Sequence, residues 1–123
     1  MTFDANQVLR IRIPHNGNIA IGPGKAALLE SIRETGSISA AGRQLEMSYR
    51  KAWLLVDQMN QCFAQPLVEA SKGGSGGGGA RVTELGLDVL NRYRQLEALA
   101  WASIVPGLAA LEGLLGAPVE PGS

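Results

Sequence analysis

The amino-acid sequence predicts a mainly α-helical fold with a small β component, and the hydrophobic pattern is the main reason. Apolar residues recur at helical spacing through most of residues 25–103, whereas residues 8–21 and 67–83 contain short β-prone runs joined by turn residues. A chain of 123 residues is long enough to bury one hydrophobic core. We therefore expect a single domain over residues 1–115, followed by a disordered tail at 116–123.

The first structured element is expected to be a β-hairpin over residues 8–21. The run VLRIRI alternates apolar and basic residues, which puts Arg10 and Arg12 on one polar face. The pair Asn16-Gly17 predicts the turn. His15, the only histidine, lies in this turn without a carboxylate or cysteine nearby in sequence. We therefore expect it neither to bind a metal nor to take part in catalysis.

Three helices in succession are expected after the hairpin. The first, Lys25 to Thr35, turns its leucine and isoleucine residues inward and ends at Gly36, which suits the left-handed backbone that follows many helices. The other two form a pair over residues 37–61 with a tight turn between them. Three helices joined in this way are the core of a helix-turn-helix domain.

The second helix of this pair, residues 48–61, is expected to lie in a DNA major groove. One of its faces is apolar and would pack inward, through Ala52, Val56, Met59 and Phe63. The opposite face near its start presents groups that can bond base edges or phosphates: Ser48, Tyr49, Arg50 and Lys51. Trp53 is large, and we expect it to be a partly buried packing residue rather than a DNA contact.

Hydroxyl and basic residues at the helix ends extend this candidate surface. Ser37 or Ser39 would cap the first helix of the pair, and Ser48 would cap the second. A hydroxyl at a helix N-terminus can also meet a phosphate, because the free amides and the helix dipole favour an anion there. Arg43 is placed to reach the DNA backbone. The candidate contacts therefore include Ser37, Ser39 and Arg43.

The seven residues Gly73 to Gly79 are all Gly or Ser, and three interpretations compete. A flexible linker needs a domain on each side, whereas the part that follows is mostly one helix. A phosphate-binding P-loop needs Lys followed by Ser or Thr after the glycines, where Ala80-Arg81 stands. In a β-hairpin, residues 67–70 and 81–83 would pair and the glycines would join them. A hairpin after a recognition helix is the wing of a winged helix, and we adopt this interpretation.

The wing is expected to follow the DNA backbone. Glycines allow the peptide chain to lie close to phosphate and sugar, and basic residues at the base of the wing supply charge. The candidate contacts here are Lys72, Gly74, Ser75, Gly76, Gly77 and Arg81.

A long helix, Glu84 to Ser103, is expected to follow the wing. Pro106-Gly107 should interrupt it before a shorter helix at 108–115. A helix of this length exposes more apolar surface than a small domain can cover, and a second copy of the chain would explain the excess. The expected dimer contacts are Val89, Tyr93, Leu96, Ala100 and Trp101.

Composition excludes several classes of protein. Eleven basic and eleven acidic residues cancel, so any DNA-binding surface depends on where charges lie. The single Cys62 excludes an intrachain disulfide and is expected to be a buried structural thiol in a reducing compartment. No signal peptide or membrane-length apolar run is apparent, which indicates a cytoplasmic protein. No arrangement of catalytic or metal-binding residues is visible, so we expect neither an enzyme nor a cofactor.

Two segments resemble the DNA-binding domain of the ModE-type molybdenum-dependent transcriptional regulators. They are SISAAGRQLEMSYRKAW and LVEASKGGSGGGGARVTELG, in which Thr83-x-x-Gly86 opens the helix after the glycine tract, and the similarity covers about residues 22–103. The first segment also resembles the broader LysR-type helix-turn-helix. The resemblance implies a winged helix, a homodimer formed through the helix after the wing, and a palindromic DNA site. Full-length members carry molybdate-binding domains that this sequence lacks, so molybdate is not an expected ligand.

The expected function is therefore that of a dimeric winged-helix regulator that binds double-stranded DNA. One alternative is a protein-interaction module that regulates a partner without reading DNA, which the neutral net charge favours. Another is a sensor of an oxyanion or other small ligand, with a pocket between the dimer helices.

Overall fold

The computed structural model of the chain describes residues 2–71 and 79–117. It is mainly helical with two small antiparallel sheets, which confirms the predicted fold class of a winged helix-turn-helix. The elements in order are α1 (Ala5–Val8), β1 (Ile13–His15), β2 (Asn18–Ile21), α2 (Pro23–Thr35), α3 (Ile38–Gln44), α4 (Tyr49–Cys62), β3 (Val68–Ser71), β4 (Gly79–Val82) and α5 (Glu84–Glu112).

The N-terminal hairpin is shorter than the sequence predicts. Strand β1 begins at Ile13, which pairs with Ile21, and Val8 is the last residue of the short helix α1 instead of the first residue of a strand. The reason is that β2 ends at Ile21, because Gly22-Pro23 begins the next helix and leaves earlier residues without a strand partner. The predicted turn is confirmed, since Asn16 and Gly17 have φ angles of 50° and 79°.

Helix α2 forms the centre of the hydrophobic core. Its inward residues Leu28, Leu29 and Ile32 are fully buried, as the helical spacing predicts. The helix ends at Gly36, whose φ of 71° is left-handed and whose N–H donates to the Ile32 carbonyl at 2.8 Å. Gly36 thereby ends the helix as predicted, and its own carbonyl accepts from Ala80 of β4 at 2.9 Å.

Helices α3 and α4 pack closely because small residues face each other. A Cβ on Gly42 would meet the Ala52 Cβ and the Met47 carbonyl at 3.3 Å each, so any larger side chain would push the helices apart. Each helix has the expected kind of cap. The Ser37 Oγ accepts from the Ala40 N–H at 3.1 Å and the Ser48 Oγ from the Lys51 N–H at 3.0 Å.

Strands β3 and β4 pair as the base of the wing. The pairs are Val68 with Val82, Glu69 with Arg81, Ala70 with Ala80 and Ser71 with Gly79. This pairing agrees with the hairpin interpretation of the glycine tract. The predicted wing residues Lys72, Gly74, Ser75, Gly76 and Gly77 lie outside the described residues.

Asn60 joins the end of α4 to the wing, a role that the sequence does not indicate. Its Oδ1 accepts from the backbone N–H groups of Leu67 and Val68 at 2.8 and 3.2 Å. Its Nδ2 donates to the Val68 carbonyl at 3.0 Å. One side chain thus satisfies three backbone groups where the chain turns from helix into strand.

The first turn of α5 packs directly on the backbone of the wing base. The Thr83 Oγ1 accepts from the Gly86 N–H at 3.0 Å and donates to the Pro66 carbonyl at 2.8 Å. A Cβ on Gly86 would overlap the Leu67 carbonyl oxygen and lie 2.6 Å from the Val82 Cγ1. Only glycine fits this position.

Helix α5 is continuous to Glu112, so the predicted interruption at Pro106 is wrong. Proline removes one helical N–H and so leaves the Ala102 carbonyl without its usual partner. Ala102, Pro106 and Gly107 are exposed, and water can satisfy that carbonyl. Across residues 2–71 and 79–117, no helix is both long and apolar enough to cross a membrane.

Alanine substitutions at two glycines of α5 should have opposite effects on stability. Gly86→Ala should lower the free energy of unfolding by about 3 kcal/mol or more, because the new methyl overlaps the wing backbone. Gly107→Ala meets nothing within 4 Å and should raise it by about 0.5–1 kcal/mol. Urea unfolding at one protein concentration measures both, and equal effects would disprove the close contact at Gly86.

Substitution of Asn60 should also destabilise the domain. Asn60→Ala leaves three buried backbone groups unpaired and should cost about 2–3 kcal/mol. The neighbouring Gln61, which is exposed and bonds only Asp57, provides the control. Gln61→Ala should change stability by less than about 0.5 kcal/mol. Similar losses for the two variants in urea unfolding would show that the Asn60 bonds contribute nothing.

Candidate nucleic-acid interface

The start of α4 forms an exposed polar surface on a firmly packed helix. Ala52, Val56 and Met59 anchor the inner face in the core. On the outer side Ser48, Arg50 and Lys51 are exposed and 57% of Tyr49 is accessible. The structure therefore brings together the four residues that the sequence assigns to the start of a recognition helix: Ser48, Tyr49, Arg50 and Lys51.

Trp53 belongs to this surface, so its prediction as a packing residue is wrong. It is 46% exposed, and its indole N–H donates to the Tyr49 hydroxyl one turn earlier. Successive residues of an α-helix are rotated by about 100° around its axis. Because Ala52 points into the core, the next residue, Trp53, is directed away from it. Leu54 is exposed beside it and was not predicted. The hydrogen-bonded side chains of Tyr49 and Trp53 are thus exposed together on this side of α4.

Within residues 2–71 and 79–117, the basic residues of this surface form no ion pair. Among the described residues, the ion pairs join Arg81 to Glu69, Arg92 to Asp88, and Arg94 to Glu30 and Glu97. Within that same part of the chain, Arg43, Arg50 and Lys51 take part in none of them. Their charges are available to an anion such as phosphate.

Ser37, Ser39 and Arg43 hold different positions relative to this surface. Ser37 is partly buried and serves as the cap of α3, while the Ser39 Oγ lies 3.1 Å from the Ser37 Oγ. Ser37, rather than Ser39, is therefore the cap. Arg43 lies in the last turn of α3 and is exposed.

Arg81 is the one predicted basic residue of the wing within the described chain. It pairs with Glu69 directly across the β3–β4 ladder, and both side chains are largely exposed. An exposed pair of this kind contributes little to stability and exchanges readily for another anion. Arg81 therefore starts from a neutralised state, unlike Arg50 and Lys51.

The residues predicted for a dimer contact divide into two groups. Tyr93 is fully buried, and its hydroxyl donates to the Ile11 carbonyl at 2.7 Å; burial raises the pKa of that hydroxyl. Val89 also packs against the core of its own domain. The prediction is therefore corrected for Tyr93, because a residue already buried has no surface for a partner.

Leu96, Ala100 and Trp101 lie at the surface of α5. Leu96 is exposed, whereas Ala100 and Trp101 are half-buried and Trp101 lines a small cleft with Ala5 and Leu9. The structure adds leucines that the prediction missed. Leu99 is 70% exposed and Leu111 is 52% exposed. Helical spacing within the predicted helix was the available signal for Leu99, whereas the expected break at Pro106 concealed this signal for Leu111.

Cys62 and His15 lie near each other without forming a reactive site. Cys62 is half-buried rather than buried as predicted, and its Sγ lies 3.8 Å from the His15 carbonyl oxygen. The exposed His15 ring contacts the Asn16 side-chain amide at 3.1 Å. In residues 2–71 and 79–117, no group of three or more His, Cys, Asp or Glu residues could hold a metal ion.

Curated relatives are similar to the larger part of this chain. The molybdenum-pterin-binding protein MopA of Rhodobacter capsulatus is 37% identical over 111 residues, which are 90% of this chain and 40% of that protein. The DNA-binding transcriptional dual regulator ModE of Escherichia coli K12 is 39% identical over 71 residues, 58% of this chain and 27% of that protein. The chain thus spans less than half the length of these relatives. The predicted resemblance to ModE-type proteins is confirmed.

A solved structure and a family model are also similar to this chain. A crystal structure of a CbnR_DBD–DNA complex has a TM-score of 0.57 and 22% identity, and the match covers 72% of this chain and 95% of that one. That likeness shows the fold. The model of the bacterial regulatory helix-turn-helix proteins of the lysR family matches residues 25–87, from α2 to the start of α5. The chain belongs to this lysR family of bacterial regulatory helix-turn-helix proteins.

Proposed function

We propose that this chain is a sequence-specific DNA-binding transcriptional regulator that acts as a homodimer in the cytoplasm. The observation that carries the proposal is the start of α4, where Arg50 and Lys51 are exposed and unpaired among the described residues. They lie on a helix whose other face is fixed in the core. Membership in a family of regulatory proteins supports the proposal and agrees with the prediction that the chain is not an enzyme.

In this proposal the start of α4 enters the major groove. Arg50 can bond a guanine edge or a phosphate through two N–H groups, and Lys51 is suited to a phosphate. The Tyr49 hydroxyl, held by the Trp53 indole, can donate to a phosphate oxygen. The cap of Ser48 and the free amides of the first turn favour an anion at the same point.

The wing is proposed to contact the adjacent DNA backbone. Asn60 and the β3–β4 ladder fix the base of the wing relative to α4. Arg81 can leave Glu69 for a phosphate at little cost, because the pair is exposed. The remaining proposed contacts of the wing rest on the sequence: Lys72, Gly74, Ser75, Gly76 and Gly77.

The homodimer is proposed to form along α5. This helix is about 43 Å long at 1.5 Å per residue, and its exposed leucines exceed what a soluble monomer usually displays. Leu96, Leu99 and Leu111 are the central contacts, with Ala100 and Trp101 beside them. A symmetric dimer would place two copies of α4 about 34 Å apart and favour a palindromic DNA site.

Molybdenum binding is not part of this proposal. It belongs to the name of MopA, of which this chain matches 40%. The proposal extends only to the region that the family model and the structure share, which is the helix-turn-helix, the wing base and the start of α5.

Removing the two cations of α4 should abolish selective DNA binding. Sequences selected from a random duplex pool by the wild-type chain should share a palindromic motif. The Arg50→Ala/Lys51→Ala variant should bind that motif at least about 100-fold more weakly. The slope of log affinity against log salt concentration should decrease in magnitude by about 2–4, because each lost phosphate contact removes about 0.9.

The control for this experiment removes a charge elsewhere. Arg92→Ala deletes an exposed arginine of α5 that is paired with Asp88, and it should leave the motif and the salt slope nearly unchanged. An unaltered slope in the Arg50/Lys51 variant would refute the groove assignment. A wild-type chain that selects no motif but retains protein partners would favour the protein-interaction alternative.

Charges placed on the exposed leucines of α5 should separate the dimer. Leu99→Glu/Leu111→Glu should shift the chain from dimer to monomer in sedimentation velocity, because carboxylates cannot be buried against a second apolar helix. Gln65→Glu, in the exposed loop after α4, is the control and should remain dimeric. A double variant that stays dimeric would place the dimer contact on another surface.

A further inference from the structure

A groove of about 710 Å³ lies beside the start of α4, and Lys51 is the one predicted interface residue in its described lining. Residues 10–19 form one wall of the groove, and one face of α4 forms the other. Residues 22–25, at the beginning of α2, form its floor. Residues that line it include Arg10, Arg12, Lys25, Lys51 and Gln58. Its open shape suits an extended ligand more than a small enclosed one.

Among the residues that the structure describes, the groove is lined by four cationic side chains and by no carboxylate. In the described part of the chain, Arg10, Arg12, Lys25 and Lys51 take part in no ion pair. Arg10 also borders a neighbouring cleft that contains Glu30. That carboxylate is already engaged by Arg94 at 2.6 Å, so it does not neutralise the groove.

The floor of the groove adds positive character from the backbone. Helix α2 begins at Gly22, which provides no side-chain cap, and Pro23 follows as the first helical residue. The Arg12 Cγ would be 3.5 Å from a Cβ on Gly22, so the Arg12 stem lies over this helix end. An anion in the groove would meet both the Arg12 guanidinium and the amides of the first turn.

Lys25 is the most unusual member of the group. Only 6% of the residue is exposed, and its ammonium donates to the Ile19 carbonyl of β2. Burial lowers the pKa of this ammonium. A phosphate nearby would instead favour the charged form of Lys25.

We propose that this groove holds backbone phosphates of the DNA that flank the major groove read by α4, so that residues 10–19, with Arg10 and Arg12 just before β1, form a second DNA-contacting element. The inference rests on the proposed function. DNA is the favoured occupant because Lys51 belongs both to the groove and to the start of α4, which makes the two surfaces continuous. Contacts of this kind set affinity and orientation, whereas base contacts set sequence preference.

The decisive test compares arginines inside and outside the groove. Arg12→Gln should lower the magnitude of the salt slope by about 2 for a dimer, one contact for each copy, and Arg10→Gln/Arg12→Gln by about 4. Affinity should fall equally for the selected motif and for random duplex, with the preferred sequence unchanged. Arg92→Gln, which removes one exposed charge from α5, should match the wild type.

Phosphate ethylation interference supplies the second readout. The wild-type chain should show interference at phosphates beyond the α4 contacts, and these positions alone should disappear in the double variant. Thermal unfolding should be the same for all variants, since Arg10 and Arg12 are exposed and their loss should not affect folding. Salt slopes and interference patterns equal to those of Arg92→Gln would overturn the proposal while leaving DNA binding through α4 intact.

A free anion as the true occupant would give a different result. Inorganic phosphate would then stabilise the wild-type chain saturably in a thermal-shift titration without DNA, and Arg12→Gln would lose this effect while its DNA salt slope remained normal. That outcome would overturn the DNA assignment. A wild-type chain without any DNA affinity would instead reject the proposed function itself, so the two failures are distinguishable.

Discussion

The relative positions of α4, the wing base and α5 depend on one close contact, where the first turn of α5 rests on the backbone of the wing base. Gly86 permits this approach because a side chain there would occupy the space of the Leu67 carbonyl. Thr83 ties the same junction together by capping α5 and bonding the Pro66 carbonyl. Asn60, near the end of α4, accepts a hydrogen bond from the Leu67 N–H and so holds the start of the wing base to α4. Helix α4, the wing base and helix α5 therefore meet within a few residues of Leu67.

The distribution of charge explains how a chain without net charge can present a basic surface. Carboxylates and arginines that pair with each other are concentrated on α5 and its contact with α2, where Glu30 bonds Arg94 and raises the pKa of that guanidinium. The cations at the start of α4 and around the N-terminal hairpin have no such partners in the described chain. The sum of charges hides this separation because sequence totals carry no information about neighbours.

Features encoded by local spacing were predictable, and features that depend on tertiary contact were not. The caps of α3 and α4, the left-handed Gly36 and the wing pairing follow from residues close in sequence. Trp53 was misjudged because size suggested burial while helical phase sets its direction. Tyr93 and Leu96 belong to the same apolar stripe of α5. Tyr93 is buried and bonds the Ile11 carbonyl, whereas Leu96 is exposed, and the sequence does not distinguish the two. Asn60 gave no signal, since its partners become neighbours only after folding.

The continuity of α5 through Pro106 has a mechanical consequence. In the proposed dimer each α5 acts as an arm about 43 Å long, rooted in the wing base at one end. A tilt of about 5° at Ala102, which lies about 27 Å along the helix from Glu84, would displace the wing base by about 2 Å, more than half of the roughly 3.4 Å rise of one base pair. Pro106 lacks the N–H that would bond the Ala102 carbonyl, so this turn has one helical hydrogen bond fewer than a regular helix. In the proposed dimer, a bend at this turn would change the distance between the two copies of α4 without involving any residue that is proposed to contact DNA.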